Sequence, residues 1–272
     1  VPHSSKKAKG AANEEHKDEN RVNIYDIEKI YDEYLDKVGI EERKKIGRMP
    51  GFMSASSAGL CFLRHWFKLN NYESKPPDIK SKRTMRLGTL VHNEFEEAVK
   101  CTEKTENIEI KTEVPIKIEK PFKVRGYTDL VVINHNKKEI TVIDYKTMHS
   151  FRWKRMFGIS RNREKNPSNL SEIQLATYTI YFLQQYRDKG YIPQMYLVYY
   201  KKDDSSIKVV NIPDYFLNTA LRYWEEASAF IEEIKTLDDA QPGLTYGVPM
   251  FEWECGKYCE FAGHCSSPYK KE

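Results

Sequence analysis

The sequence predicts an α/β protein whose mixed β-sheet is laid down in the order helix, three strands, helix, strand, with further helices added at both ends. Two observations predict it. Ahead of Lys100 the apolar residues recur at helical spacing, and from Ile108 to Lys146 the period changes to two. An apolar helical pattern over residues 171–190 then returns the chain to another alternating stretch, which turns a strand meander into a layered sheet.

Taken in order, residues 1–22 are polar and charged and read as a solvated tail, with Val1-Pro2-His3-Ser4-Ser5 resembling a cloning scar. A helix is expected over 23–39: Ile24, Ile27, Tyr31, Tyr34 and Val38 share a face, Asn23 is the N-cap and Gly39 the stop. A second helix is expected to open near Ser54 and to carry Leu60, Cys61, Leu63, Trp66 and Phe67. Residues 70–82, with Pro76-Pro77, read as a loop, and a third helix follows over 86–100 with Gly88 and His92 one turn apart. Strands are expected over 108–118, 122–133 and 139–146, the last two joined by a tight turn at His135-Asn136-Lys137-Lys138. A basic loop over 149–170 leads to the helix 171–190, which Gly190 and Pro193 terminate. Strands over 195–201 and 207–212 flank an Asp203-Asp204-Ser205-Ser206 turn. A long amphipathic helix over 213–235 presents Phe216, Ala220, Trp224, Ala227, Ile231 and Ile234. The remainder is irregular, and no internal repeat is visible. The expected organisation is a tail (1–22), an N-terminal helical region with Cys61 (23–85), a core (86–212) and a C-terminal helix with a cysteine cluster (213–272).

Composition narrows the function. With 40% hydrophobic and 31% charged residues, the 272-residue chain is neither disordered nor fibrous. A net charge of +4 is too small to name a nucleic-acid binder, so any basic partner surface must be local. No apolar run approaches the roughly 18 residues of a membrane span. The first twenty residues carry no signal-peptide pattern, so a cytoplasmic location is expected (the host cytoplasm for a viral protein), with no membrane partner. Five cysteines are an odd number, which argues against a closed disulfide framework, and three of them crowd the last eighteen residues, which argues for metal.

The chemistry-bearing run is Gly126-Tyr127-Thr128-Asp129 followed by Asp144-Tyr145-Lys146. Both acids sit among apolar strand residues, where an unpaired carboxylate is costly. A hard cation such as Mg²⁺ or Mn²⁺ with oxygen ligands would compensate them. Alternation puts Asp144 and Lys146 on one face, with an ammonium beside that cation. An internal Asp129–Lys146 salt bridge is the plainer alternative.

These residues resemble the PD-(D/E)xK nuclease superfamily and, more narrowly, the RecB-like nucleases. Those place a helical Gly-x-x-x-His ahead of the sheet, as in Gly88-Thr89-Leu90-Val91-His92, and a Gln-x-x-x-Tyr on the following helix, as in Gln174-Leu175-Ala176-Thr177-Tyr178. Glu113 stands where family members often place an acid on the first strand. The resemblance runs from about Ser54 to Cys265 and implies a restriction-endonuclease-like core. It implies that His92, Asp129, Asp144 and the Tyr145 carbonyl bind Mg²⁺ or Mn²⁺, and that Lys146, Gln174 and Tyr178 complete the catalytic set with the two aspartates. Alternatives stay open: His92 as a core or surface histidine, Gln174 in a capping box with Ser171, Tyr178 as core.

Cys255-x3-Cys259-x5-Cys265 offers three soft ligands, one short of the usual four, and Cys61 is the candidate fourth. Related CRISPR-associated RecB-like exonucleases and AddB-type nucleases bind a 4Fe–4S cluster with one upstream cysteine and three near the C-terminus, so the resemblance implies an iron–sulfur clasp. Their spacing is often Cys-x2-Cys-x5-Cys, whereas the first gap here is x3. Zinc is the rival, with His65 or His264 as fourth ligand, and unmetallated thiols are the remaining possibility. Cys101 reads as a plain structural cysteine.

In the stretch after the lysine, Arg152, Lys154, Arg155, Arg161, Arg163 and Lys165 face only Glu164, and Phe151, Trp153 and Phe157 are interleaved among them. Such a segment can neutralise phosphates and stack on unpaired bases, or be a solvated loop with its aromatics turned inward. The expected function is metal-dependent hydrolysis of DNA, most specifically as a single-strand exonuclease in recombination, repair, viral replication or CRISPR adaptation. Helicase, recombination or integrase proteins are the expected partners. The alternative is a non-catalytic nucleic-acid-binding or scaffold subunit of a helicase or integrase complex, with zinc at the cysteines.

Overall fold

The computed structural model describes residues 26–47, 50–102, 105–158, 169–239, 255 and 258–265. The expected tail and the cap at Asn23 lie outside them. The chain divides into two units, Val1–Ile46 and Gly47–Glu272.

The first unit contains helix α1, Ile27–Ile46. The Asp26 carboxylate caps it, accepting the Lys29 N–H at 3.2 Å. The helix passes through Gly39, the expected stop. A helical glycine costs only about 1 kcal/mol relative to alanine, and the Glu, Arg and Lys residues beyond it are good helix formers.

The second unit carries strands β1 (Met53–Ser54), β2 (Ile108–Ile118), β3 (Val124–Asn134), β4 (Glu139–Met148), β5 (Ile192–Lys201) and β6 (Ile207–Asn211), and helices α2 (Phe62–Leu69), α3 (Ile79–Lys100), α4 (Ser150–Phe157), α5 (Leu170–Tyr186) and α6 (Tyr215–Glu233). The α/β class and the mixed sheet agree with the sequence. Three local expectations are overturned. No helix opens at Ser54: residues 53–57 form a short strand and a 3-10 turn, Gly59 reverses the chain at φ +76°, and Cys61 becomes the N-cap residue of α2. Helix α3 begins inside the expected loop because Asp78, just after the prolines, accepts the Ser81 N–H at 2.8 Å. The expected basic loop begins with helix α4, whose Ser150 N–H is held by Asp203 at 2.7 Å.

The sheet runs β1-β3-β4-β5-β6, with β2 along the other edge of β3. The β2–β3, β3–β4 and β5–β6 pairs are antiparallel, and β4–β5 and β1–β3 are parallel. One edge of β3 is shared: β4 pairs with Leu130–Asn134 and β1 with Val124–Arg125. Residues 126–129 lie between those two ladders, so β3 and β4 fork where β4 continues along β5 through Met148.

Alternation sorts the two faces. Val131, Ile133, Val142, Met195 and Leu197 join the main core with α2, α5 and α6, including Phe67, Leu175 and Trp224. Leu130, Tyr145 and Val198 face the other way, against Phe95 and Val99 of α3. Each large side chain buried in this way contributes about 1.5–3 kcal/mol, which fixes α3 and α5 over the two faces of the fork. Among the described residues no helix is long and apolar enough to cross a membrane.

Candidate active site

The fork puts Asp129 and Asp144 on facing strands where no ladder joins them. The Asp129 side chain fills part of the gap: its Oδ2 accepts the Tyr145 N–H at 2.7 Å, replacing a missing backbone bond. Its Oδ1 stands 3.5 Å from Nδ1 of His92, which α3 brings in from the other face. The Tyr145 ring stacks on Phe95 (4.7 Å, 14°) and meets His92 edge-on (5.8 Å, 76°), so the aromatic face of α3 orients the histidine.

Asp144 shares the α5 face with Val142 and is buried. Nζ of Lys146 lies 2.5 Å from its Oδ2. That contact is an ion pair without hydrogen-bond geometry, so Oδ2 is a buried oxygen with no hydrogen-bond partner. Burial pushes the Asp144 carboxyl above the usual range, against the pull of Lys146 and with the push of Asp129. Lys146 donates to Oε1 of Gln174 at 3.1 Å, and Nε2 of Gln174 donates to the Tyr178 hydroxyl at 2.6 Å. Gln174 thus looks toward the lysine rather than back to Ser171, and Asn169 occupies the N-cap position of α5.

Gly126 is needed sterically. A Cβ there would fall 2.9 Å from Cβ of Ala55 and 3.2 Å from Cε1 of Tyr178. The close approach of β1's following turn and of α5 to β3 therefore depends on it. At Gly88 a Cβ would meet only Oγ1 of Thr147, at 3.4 Å, an ordinary contact.

The structure thus brings His92, Asp129, Asp144, Tyr145, Lys146, Gln174 and Tyr178 into one chain of contacts. The donor set, two carboxylates with one imidazole and an orphaned buried oxygen, suits a hard divalent cation. Among the described residues no three His, Cys, Asp or Glu side chains are gathered as a ready metal site: His92 is spent on Asp129, and Asp144 on Lys146. Glu113 is exposed at φ +47°, opposite Asp129 in the β2–β3 register, a strained position for a non-glycine residue.

Several neighbours of the site carry no motif of their own. Glu96, one turn after His92, accepts from Thr112 at 2.7 Å and pairs with Lys100 at 3.1 Å. The i, i+4 spacing from His92 was a usable signal for it. Phe95 was visible only as an apolar residue, and Glu172 only as part of a cap.

On α4, Arg152, Lys154 and Arg155 are exposed, as is Phe151, 72% accessible with the Arg155 guanidinium over its ring at 5.5 Å. Trp153 and Phe157 turn inward against each other (4.9 Å), and Phe157 packs on Tyr199 (5.3 Å). Arg161, Arg163 and Lys165 lie outside the described residues.

Cys61 lies within electrostatic reach of Cys265 and Cys255, and Cys259 of Cys265, although among the described residues no three of these side chains are gathered as a ready metal site; Cys101 is exposed at the end of α3. Burial pushes the Cys61 thiol up to about 11, the amides at the start of α2 pull it back, and Cys265 and Cys255 add to the rise. Glu260 and Phe261 seat against α2. Arg64 and Lys68 pair with Glu260, and Phe261 stacks on Phe67 at 5.3 Å. The histidines expected as a fourth zinc ligand each meet a protein partner through Nε2. Nε2 of His65 meets the Tyr223 hydroxyl at 2.7 Å, and Nε2 of His264 meets the Glu73 carbonyl at 2.9 Å.

No curated protein matches the sequence. Among solved structures, SSO0001 superimposes with a TM-score of 0.56 at 22% identity, covering 89% of this chain and 98% of that one, a likeness of fold. A candidate exonuclease from Eubacterium rectale (TM-score 0.44, 16% identity, 76% and 94% covered) and an alkaline exonuclease from Laribacter hongkongensis (0.41, 15%, 67% and 88%) are more distant. The profile of the PD-(D/E)XK nuclease superfamily matches residues 97–266, well over half of the sequence, with both aspartates, the lysine and the Gln-x-x-x-Tyr helix inside the match. The chain belongs to the PD-(D/E)XK nuclease superfamily.

Proposed function

We propose that this nuclease is a Mg²⁺- or Mn²⁺-dependent deoxyribonuclease acting on single-stranded DNA as an exonuclease. The observation that carries the reading is the fork at Asp129 and Asp144, with Lys146 held over it by Gln174 and Tyr178. When bound at His92, Asp129, Asp144 and the Tyr145 carbonyl, the cation would lower the pKa of a water and stabilise charge on the leaving oxygen.

The protein's own contribution is orientation. The Tyr145 amide fixes one Asp129 oxygen, leaving the other to face His92. Gln174 accepts from Lys146 with its carbonyl oxygen while its amide is committed to Tyr178, so the ammonium is held between Gln174 and Asp144. Lys146 is then placed to hold the attacking water or to meet a phosphate oxygen. The exposed cations of α4, directly after β4, supply phosphate contacts beside the site, and Phe151 is the exposed ring available for stacking on an unpaired base.

The finer proposal for the cysteines is a 4Fe–4S cluster on Cys61, Cys255, Cys259 and Cys265. Four soft thiols favour it over a Cys3His zinc site. Iron and acid-labile sulfide in the purified protein would support the cluster, and stoichiometric zinc in a colourless sample would reject it. For the activity, end-labelled and circular single- and double-stranded DNA are incubated with Mg²⁺, Mn²⁺ or EDTA. Stepwise loss from single-strand ends, abolished by EDTA, is the expected result. Binding without cleavage under every metal would leave the scaffold reading instead.

A further inference from the structure

Helix α3 delivers His92 to the site, yet none of its 22 residues is buried. Among the described residues, the contacts that seat it near His92 fall on both sides of the fork. On the β4 side the Phe95 ring stacks on Tyr145 at 4.7 Å, and Gly88 approaches Thr147. On the β2 side Oε1 of Glu96 accepts from the Thr112 hydroxyl at 2.7 Å. Thr112 is paired with Leu130 of β3, the residue after Asp129. Leu130 belongs to the patch that Phe95 and Val99 pack against, so Thr112 lies on the face that α3 covers.

The two anchors differ in kind. Stacked rings tolerate sliding and tilting, because apolar burial has little direction. A hydrogen bond to a carboxylate constrains both distance and angle. The other partner of Glu96, Lys100 at 3.1 Å, stands on the same helix and cannot tie that helix to the sheet. His92 and Glu96 are four residues apart and share a flank of α3, so a roll about the helix axis moves both together. Side-chain tips lie about 5–6 Å from the axis, and a roll of about 20° carries them about 2 Å. A metal site tolerates errors of only about 0.2 Å in its ligand distances. Nδ1 of His92 stands 3.5 Å from Oδ1 of Asp129, so a roll of that size would part the imidazole from the carboxylate.

We propose that Glu96 is a positioning residue: its hydrogen bond to Thr112 fixes the roll of α3 and holds the His92 imidazole on the Asp129 side of the fork, in reach of the divalent cation. The proposal rests on the nuclease reading above. It assigns Glu96 no contact with cation or substrate, since its carboxylate is engaged by Thr112 and Lys100.

The test uses the full chain. It reads Mn²⁺ binding without DNA, from the electron paramagnetic resonance signal of the free ion, and single-turnover cleavage of single-stranded DNA. If the wild type does not cleave, or if His92→Ala binds Mn²⁺ as tightly as the wild type, the parent reading of the site fails and the inference falls with it. Otherwise the remaining variants decide the inference alone. Thr112→Val, close in shape but without the hydroxyl, is expected to weaken Mn²⁺ binding about ten- to a hundred-fold, the range for losing a group that orients a metal ligand. Thr112→Ser keeps the donor and Glu96→Gln keeps the acceptor, so both should stay within about three-fold of the wild type. In a His92→Ala background Thr112→Val should cost nothing further, because it acts through the imidazole. Affinity within about two-fold of the wild type in Thr112→Val, or the same loss from Thr112→Val with and without His92, would overturn the proposal. A loss in Glu96→Gln as deep as in Glu96→Ala would also overturn it, since the charge itself would then serve as a ligand. Should Thr112→Val fail to fold, Glu96→Ala takes its place beside His92→Ala, alanine being a strong helix former.

Discussion

Replacing Asp144 by asparagine tests whether this carboxylate is kept for chemistry or for the fold. Its side chain is 3% exposed, its Oδ2 has no hydrogen-bond partner, and its compensating charge, Lys146, keeps 24% of its own side chain accessible. Burial outweighs that pairing and holds its carboxyl above the ordinary range, so the folded state disfavours its charge. Breaking a fully buried ion pair usually destabilises, because it strands the partner charge. Lys146 would not be stranded: it reaches solvent and retains Gln174 Oε1 at 3.1 Å. Asp144→Asn should therefore stabilise the metal-free protein by about 1–3 kcal/mol, or about 2–12 °C in Tm for a unit of this size. The same variant should lose cleavage by about a hundred-fold or more, as expected for removing one electrostatic group from a preorganised site. Thermal unfolding in EDTA, followed by circular dichroism, gives the first quantity, and single-turnover cleavage in Mn²⁺ the second. A Tm lowered by several degrees would refute the argument, since it would mean that Asp144 is needed to neutralise Lys146. Near-normal cleavage would remove Asp144 from the active site altogether.

Replacing Arg152, Lys154 and Arg155 together by glutamine should flatten the dependence of single-strand binding on log salt by about 2, at about 0.7 per phosphate contact. An unchanged slope in a filter-binding titration would place the DNA elsewhere. Gly126→Ala should lower stability by about 1–3 kcal/mol, because the new Cβ overlaps Ala55 and presses on Tyr178; urea unfolding measures it, and no change in midpoint would contradict the packing. Burial, helped by Lys68 and Arg64, lowers His65 from 6.5 to about 3. Between those values the unfolded chain binds the extra proton, so stability falls as pH drops below 6.5, by about 2 kcal/mol at pH 5. His65→Gln, which cannot take up that proton, should lose this part of the pH dependence in urea titrations at pH 7 and 5, and an identical slope in the variant would show that His65 titrates normally.

Much of the sheet was legible because its signals are local. The 108–118 strand coincides with β2, and the Asp-x-Lys alternation places Asp144 and Lys146 on one face, as period two requires. What could not be read depends on long-range packing. Residues 150–157 look like a solvated loop because their charges dominate, yet Trp153 and Phe157 find an apolar seat on Tyr199, and the segment becomes a helix. The turn at 55–57 reads as helix because Ala and Ser are permissive, whereas its actual conformation is dictated by the need to pass under Gly126. Glu172 reads as an ordinary acid in a helix's first turn, and only burial distinguishes it.

The fork also divides responsibility for the site between two parts of the fold. Asp144 and Lys146 are carried by the β4–β5 ladder and by α5, whose Thr177 is anchored in turn by Trp224 of α6 at 2.7 Å. Asp129 is carried by β3, whose free edge is bracketed by β1 and the 55–57 turn. That turn leads directly to Cys61, and the segment between is pinned from α6, where the Tyr223 hydroxyl donates to the Leu60 carbonyl at 2.6 Å while Nε2 of His65 meets it at 2.7 Å. The hydroxyl's own proton is committed to Leu60, so Nε2 of His65 must carry the hydrogen in that contact. The turn that leads to Cys61 therefore meets both sides of the site: Ala55 stands against Gly126 of β3, and Gly59 against Leu170 and Ile173 of α5.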